Sequence, residues 1–99
     1  MKFLVDVTPH IPPEMPPETL TGLLARETDA AIDLMQRGKL LQIHRVAGRG
    51  GNIGLWEADT LEELDQILND LPMAPYLSFH ITSLIKHRVQ KVYEERLLK

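Results

Sequence analysis

The sequence contains no cysteine. That excludes disulfides, a thiolate nucleophile and any cysteine metal site, and leaves the redox compartment unmarked. No apolar run is long enough to span a bilayer. The opening MKFLVDVTPH turns polar too soon for a secretory h-region, so cytoplasmic residence and no membrane partner are expected. Basic runs are missing ahead of the tail and the net charge is −3, so nucleic acid is not an expected partner. The GRGG stretch at 48–51 lacks the Lys-Ser/Thr pair and the following helix of a phosphate loop. No nucleophile elbow supports Ser-His-Asp chemistry. His10, His44, His80 and His87 show no ligand spacing such as H-x-x-x-H, so no metal is expected. There is no internal repeat.

What is present fits one soluble domain over residues 1–99, with 43% hydrophobic and 25% charged residues. The chain is organised around residues 17–38, PETLTGLLARETDAAIDLMQRG, which read as one amphipathic helix. Leu20, Leu23, Leu24, Ala30, Ala31 and Leu34 recur at three- and four-residue steps and form its apolar stripe. Glu27 lies inside that stripe. A carboxylate at a core-facing position loses hydration, and its pKa rises unless a cation pairs with it. Such a glutamate becomes a general base usable near neutral pH. The alternatives are that Glu27 reaches water at the helix margin or pairs with a nearby arginine.

Residues 2–7 alternate as a strand, with Phe3, Val5 and Val7 on one side and Leu4 and Asp6 on the other. The segment TPHIPPEMPPE holds five prolines and reads as a stiff connection: a pocket wall, an arm toward another subunit, or a plain link. Residues 40–47 and 52–58 form two strands joined by the glycine-rich turn, an antiparallel hairpin. In the first of these, strict alternation puts Leu41, Ile43 and Arg45 on one face and Leu40, Gln42, His44 and Val46 on the other. Thr60-x-x-Glu63 is a capping box that opens a helix over 60–71, with Leu61, Leu64, Leu68 and Leu71 as its stripe. Residues 76–82 form a fourth strand, with Leu77, Phe79 and Ile81 opposite Tyr76, Ser78 and His80. The tail, 83–99, carries Ile85, Val89, Val92 and Leu97 near helical spacing, and reads as a third helix on the domain or on a neighbouring subunit.

The order is β-α-β-β-α-β: an α+β, ferredoxin-like arrangement with two helices on one face of an antiparallel sheet and an extra C-terminal helix. The other sheet face must be covered by a ligand or by a second sheet. Two such sheets facing each other make a dimeric α+β barrel.

From Met1 to about His87 the chain resembles the muconolactone delta-isomerase family. The resemblance rests on MKFLVDVT followed by P-x-x-M-x-P in IPPEMPP, Glu27, RVAGRGGN at 45–52, and L-P-x-x-P-Y in Leu71-Pro72-Met73-Ala74-Pro75-Tyr76. It implies a ferredoxin-like dimer built into a larger ring-like homo-oligomer such as a decamer, and no cofactor. It also implies a proton shift on a small lactone in aromatic catabolism. Glu27 matches the family's glutamate, the candidate base. Arg45 and Asn52 match too, as candidates for anchoring a carboxylate and contacting an oxyanion. Equally, Arg45 reads as a structural partner of Glu27, and Asn52 as a bond to the hairpin backbone. Trp56 and Tyr76 join them as substrate-binding candidates or core aromatics.

The chain departs from the family pattern in two places. Strand two of the family is richer in aromatics, where this chain has Leu40 and His44. Its tail has a proline soon after the histidine matching His87, where Arg88 continues here. His44 is either a second acid–base group or a polar residue facing a partner. Three readings stand: an isomerase using Glu27; a related dimeric α+β-barrel cyclase, oxygenase or haem-degrading enzyme in which His44 carries more weight; and a non-catalytic small-molecule-binding module.

Overall fold

A computed structural model describes residues 1–98. Strand β1 spans Lys2–Pro9, helix α1 Pro17–Gln36, β2 Leu40–Arg45, β3 Asn52–Glu57, helix α2 Leu61–Asn69, β4 Leu77–Leu84 and helix α3 Arg88–Leu97. The four strands form one antiparallel sheet in the order β2-β3-β1-β4, with α1 and α2 on one side. This is the expected βαββαβ arrangement plus a C-terminal helix. The expected tail runs to Lys99, which lies outside the described residues.

Alternation in β1 sets the core. Phe3, Val5 and Val7 are buried and pair across the sheet with Trp56, Gly54 and Asn52 on one side and with Ser83, Ile81 and Phe79 on the other. Leu64 and Leu68 of α2 and Leu34 of α1 close over them. Fully burying each such side chain contributes about 1.5–3 kcal/mol. Gly54 is required beneath the indole: a Cβ there would stand 2.7 Å from Trp56 Nε1.

α2 starts as its sequence dictates. The Thr60 hydroxyl accepts the Glu63 amide at 3.0 Å, while the Glu63 carboxylate accepts the Asp59 amide and binds Lys39 Nζ at 2.6 Å. Pro72 and Pro75 then break the chain into a turn and a short 3-10 segment, Ala74–Tyr76, before β4 begins at Leu77. Tyr76 therefore lies in that segment and not in the strand. Its carbonyl accepts the His10 amide and ties the proline-rich connection to the sheet edge.

Strand β2 also departs from simple alternation. A bulge between Leu40 and Gln42 pairs Leu40 with Trp56 but Ile43 with Gly54 and Arg45 with Asn52. The extra residue is Leu41, so Leu40, Ile43 and Arg45 share the helix-covered side, while Gln42 and His44 face the other. Leu40 is buried and Leu41 is exposed, the reverse of strict alternation.

The hairpin loop is tied down by Arg49, whose guanidinium meets Asp6 at 2.8 Å. Gly51 has φ +96°, and a Cβ on it would collide with the Val7 carbonyl oxygen. Only glycine lets the loop settle against β1 and deliver Asn52 into register.

The far face of the sheet is open. Leu4, Asp6, Gln42, His44, Ile53, Leu55, His80 and Leu84 lie there, with Leu4 37% exposed. α3 stands off the body. It is capped by the His87 ring, whose Nδ1 accepts the Val89 amide, and none of its residues is buried. The radius of gyration is 15.9 Å, against about 13 Å for a compact chain of this length. Among the described residues no helix is long and apolar enough to cross a membrane.

Candidate active site

Glu27 sits on the sheet-facing side of α1, three residues before Ala30 and four before Ala31, so the helix aims it toward β1 and β3. It lies between two adjoining cavities on the helix-covered side. The inner one, about 40 Å³, is walled by Leu40, Trp56, Leu68 and Phe79. The outer one, about 170 Å³, is walled by Pro9, Leu24, Gly51 and Met73. Val7, Glu27, Asn52 and Leu77 border both. A wider groove of about 600 Å³ lies away from this region, between α2 and β4.

The walls are mostly apolar, and that fixes the electrostatics. Burial pushes the Glu27 carboxyl above its ordinary range, while a hydrogen bond from the Met73 amide pulls it partly back. That bond reaches Oε1 at 2.9 Å. Among the described residues Glu27 forms no ion pair, and Arg45 is not its partner. A half-buried carboxylate with one backbone donor and no cation is poised to take up a proton and release it again.

Asn52 stands at the start of β3 on the same side of the sheet and borders both cavities. Arg45 is its cross-strand neighbour on the edge strand, exposed and on that same side. Trp56 is buried at the floor of the inner cavity. The structure thus gathers Glu27, Asn52 and Trp56 around one space, while Arg45, beside Asn52 on the edge strand, borders neither cavity.

Two further candidates are not brought there either. His44 lies on the open face, exposed, with its ring 3.3 Å from the Gln42 side-chain carbonyl. Tyr76 borders neither cavity. Met73 was not singled out from sequence, because its contribution is a backbone amide. Its only signal was membership of the L-P-x-x-P-Y segment, whose prolines set the turn that aims the amide. Among the described residues no group of three acidic or histidine side chains could hold a metal.

Fold and site together define a ferredoxin-like α+β protein with one desolvated carboxylate in an apolar cavity, the equipment of a small acid–base site. The comparisons give this class a family. A model of the family described as muconolactone delta-isomerase matches residues 1–90, and the chain belongs to that family. It is 34% identical over 87 residues to the muconolactone delta-isomerase of Cupriavidus pinatubonensis, covering 88% of this chain and 95% of that one. It is 31% identical to that of Acinetobacter baylyi, covering 88% and 91%. Among solved structures, a muconolactone isomerase superposes with a TM-score of 0.84 at 31% identity, over 89% of this chain and 92% of that chain. A 5-chloro-2-hydroxyhydroquinone dehydrochlorinase from Burkholderia phenoliruptrix AC1100 shares the fold, with a TM-score of 0.61 at 14% identity over 90% and 98%.

Proposed function

We propose that this chain is a cofactor-independent isomerase of aromatic catabolism that converts muconolactone to the enol-lactone of 3-oxoadipate, with Glu27 as the proton carrier. The observation that carries this reading is the Glu27 carboxylate: desolvated, unpaired, held through one oxygen and open to a cavity. Its relatives' names supply the substrate class.

The chemistry follows from that geometry. Oε1 is engaged by the Met73 amide, so Oε2 is the oxygen available to the substrate. It removes the proton from the ring carbon that bears the acetate arm. The C–H electron pair becomes a new ring double bond, the original double bond shifts toward the carbonyl, and negative charge collects on the carbonyl oxygen. The side-chain amide of Asn52 donates to that oxygen. Glu27, now neutral in an apolar site, returns the proton to the carbon alpha to the carbonyl. Atoms and charge balance, and a single carboxyl group serves as base and acid. Arg45, beside Asn52, pairs with the acetate carboxylate. Trp56 forms the floor of the pocket, and Tyr76 acts through its backbone bond to His10. His44, on the opposite face, takes no part within one protomer.

The protein works as a homo-oligomer, since the open sheet face presents Leu4, Ile53, Leu55 and Leu84 to whatever covers it. It acts in the cytoplasm. The test is muconolactone turnover, followed by ultraviolet absorbance, together with deuterium uptake by substrate and product in D2O. Turnover with deuterium at the alpha carbon is expected; neither turnover nor exchange would overturn the reading.

A further inference from the structure

We propose that the inner cavity beside Glu27 is a subsite for a methyl group on the ring carbon alpha to the lactone carbonyl, so that the chain prefers a methyl-substituted lactone. The subsite rests on the isomerase reading above and narrows its substrate. The two cavities differ in what they can hold. An apolar cavity of about 150 Å³ takes up benzene, so each heavy atom needs roughly 25 Å³. On that scale the outer cavity, about 170 Å³, has room for the ring atoms of a lactone and its carbonyl oxygen. The inner cavity, about 40 Å³, has room for one heavy atom more. Muconolactone itself leaves that space empty and forgoes the dispersion contacts of its walls.

The walls select what enters. Leu40, Trp56 and Leu68 are buried, and with Ile43, Leu77 and Phe79 they line the inner cavity with hydrocarbon and aromatic groups. The bulge in β2 builds part of this wall, because it turns Leu40 and Ile43 to the same side of the strand. The charged and amide side chains on its border, Glu27 and Asn52, also face the outer cavity. Among the described residues the buried side-chain oxygen without a partner belongs to Glu57, outside this wall. The ring's orientation follows. The charged acetate arm stays out of an apolar space, and Arg45 stands outside both cavities. The arm-bearing carbon therefore faces outward. Across the ring from it lies the bond between the carbonyl carbon and the alpha carbon. With the carbonyl oxygen on Asn52, the substituent of the alpha carbon points into the inner cavity. A methyl group there leaves the reaction balanced: Glu27 takes the proton from the arm-bearing carbon and returns it to the methyl-bearing one.

Binding is read by calorimetry on the full-length Glu27→Gln chain, which holds the lactones without converting them. The probes are muconolactone and its derivatives methylated at the alpha or at the beta carbon. Burying one methyl group tightens binding by about fourfold, so the alpha-methyl lactone should bind that much more tightly than muconolactone, and the beta-methyl isomer no more tightly. Ala31 borders the inner cavity from α1. Adding Ala31→Val fills the space and should leave the alpha-methyl lactone at least about tenfold weaker than muconolactone. Ala31→Val with Glu27 intact should still turn over muconolactone, which shows that the variant folds; if it does not fold, the preference for the alpha over the beta isomer decides alone. An alpha-methyl lactone bound no better than muconolactone, or one indifferent to Ala31→Val, overturns the subsite. Where wild type still turns over muconolactone in that case, the isomerase reading stands. Neither turnover nor binding of any of the three overturns both.

Discussion

Replacing Glu27 separates the proposed proton transfer from the hydrogen bond to Met73. Glu27→Gln keeps the side-chain length and an oxygen that accepts the Met73 amide, but it cannot take a proton. General acid–base catalysis contributes about 10²–10⁴-fold, so kcat should fall by at least that factor. Glu27→Asp keeps the charge and loses one methylene, which retracts the carboxylate by roughly 1.5 Å. The 2.9 Å bond to the Met73 amide then opens beyond hydrogen-bond range. A misplacement of about 1 Å costs about 10²-fold, so Glu27→Asp should retain about one per cent of wild-type kcat. Stability moves the other way. Burial raises the folded pKa of Glu27 above the ordinary 4.5. Between the unfolded and folded pKa values the native state binds more protons than the unfolded one, so wild-type stability falls as pH rises through that window. Glu27→Gln escapes this loss. Its melting temperature should draw ahead of wild type as pH rises above the ordinary 4.5 and through the raised folded pKa, then hold a constant lead. Wild-type kcat/KM should rise over the same window as the base ionises. The assays are initial rates by ultraviolet absorbance and thermal unfolding across pH. A Glu27→Gln enzyme within tenfold of wild-type kcat, or one less stable than wild type at neutral pH, would refute the reasoning.

Three further outcomes are expected. Arg45→Gln should raise KM for muconolactone by about 10–100-fold with little change in kcat, because a charge-assisted bond of about 1.5–3 kcal/mol is lost in ground and transition states alike; saturation kinetics will show it. Gly51→Ala forces a left-handed backbone and a clash with the Val7 carbonyl, and should cost about 1–3 kcal/mol, read as a lower urea midpoint with an unchanged slope. The bond from Lys39 holds the Glu63 carboxyl below 4.5. Its stabilisation is present above the unfolded pKa and lost as pH falls through the folded one, so Glu63→Gln should flatten the acid limb of a stability–pH curve measured by urea unfolding.

Much of this was written in the chain because its local rules agree with its global ones. The β1 alternation, the Thr60 capping box and the α1 stripe each specify an element, and their order specifies the fold. The placement of Glu27 followed from helical period alone. The β2 faces did not, because a period of two has no way to register an inserted residue: the bulge reassigns Leu40 and leaves Gln42 and His44 where alternation had them. Tyr76 was drawn into a strand because β4 follows at once, yet Pro75 favours a tight turn there. The Met73 contact was invisible for a different reason. A backbone donor carries no residue identity, and only the turn reveals where it points. For α3 the amphipathic pattern was legible, but helical period says nothing about what its apolar side meets.

The connection at 71–76 serves as both a helix stop and an arm that reaches back to Glu27. Surface connections ordinarily absorb insertions and deletions without consequence. This one cannot, because a change of a single residue would slide the amide away from Glu27 while α2 and β4 stayed packed. The chain would still fold, and it would hold a carboxylate with nothing to aim it. A gain or loss of one residue between α2 and β4 would mark a lineage that had given the reaction up.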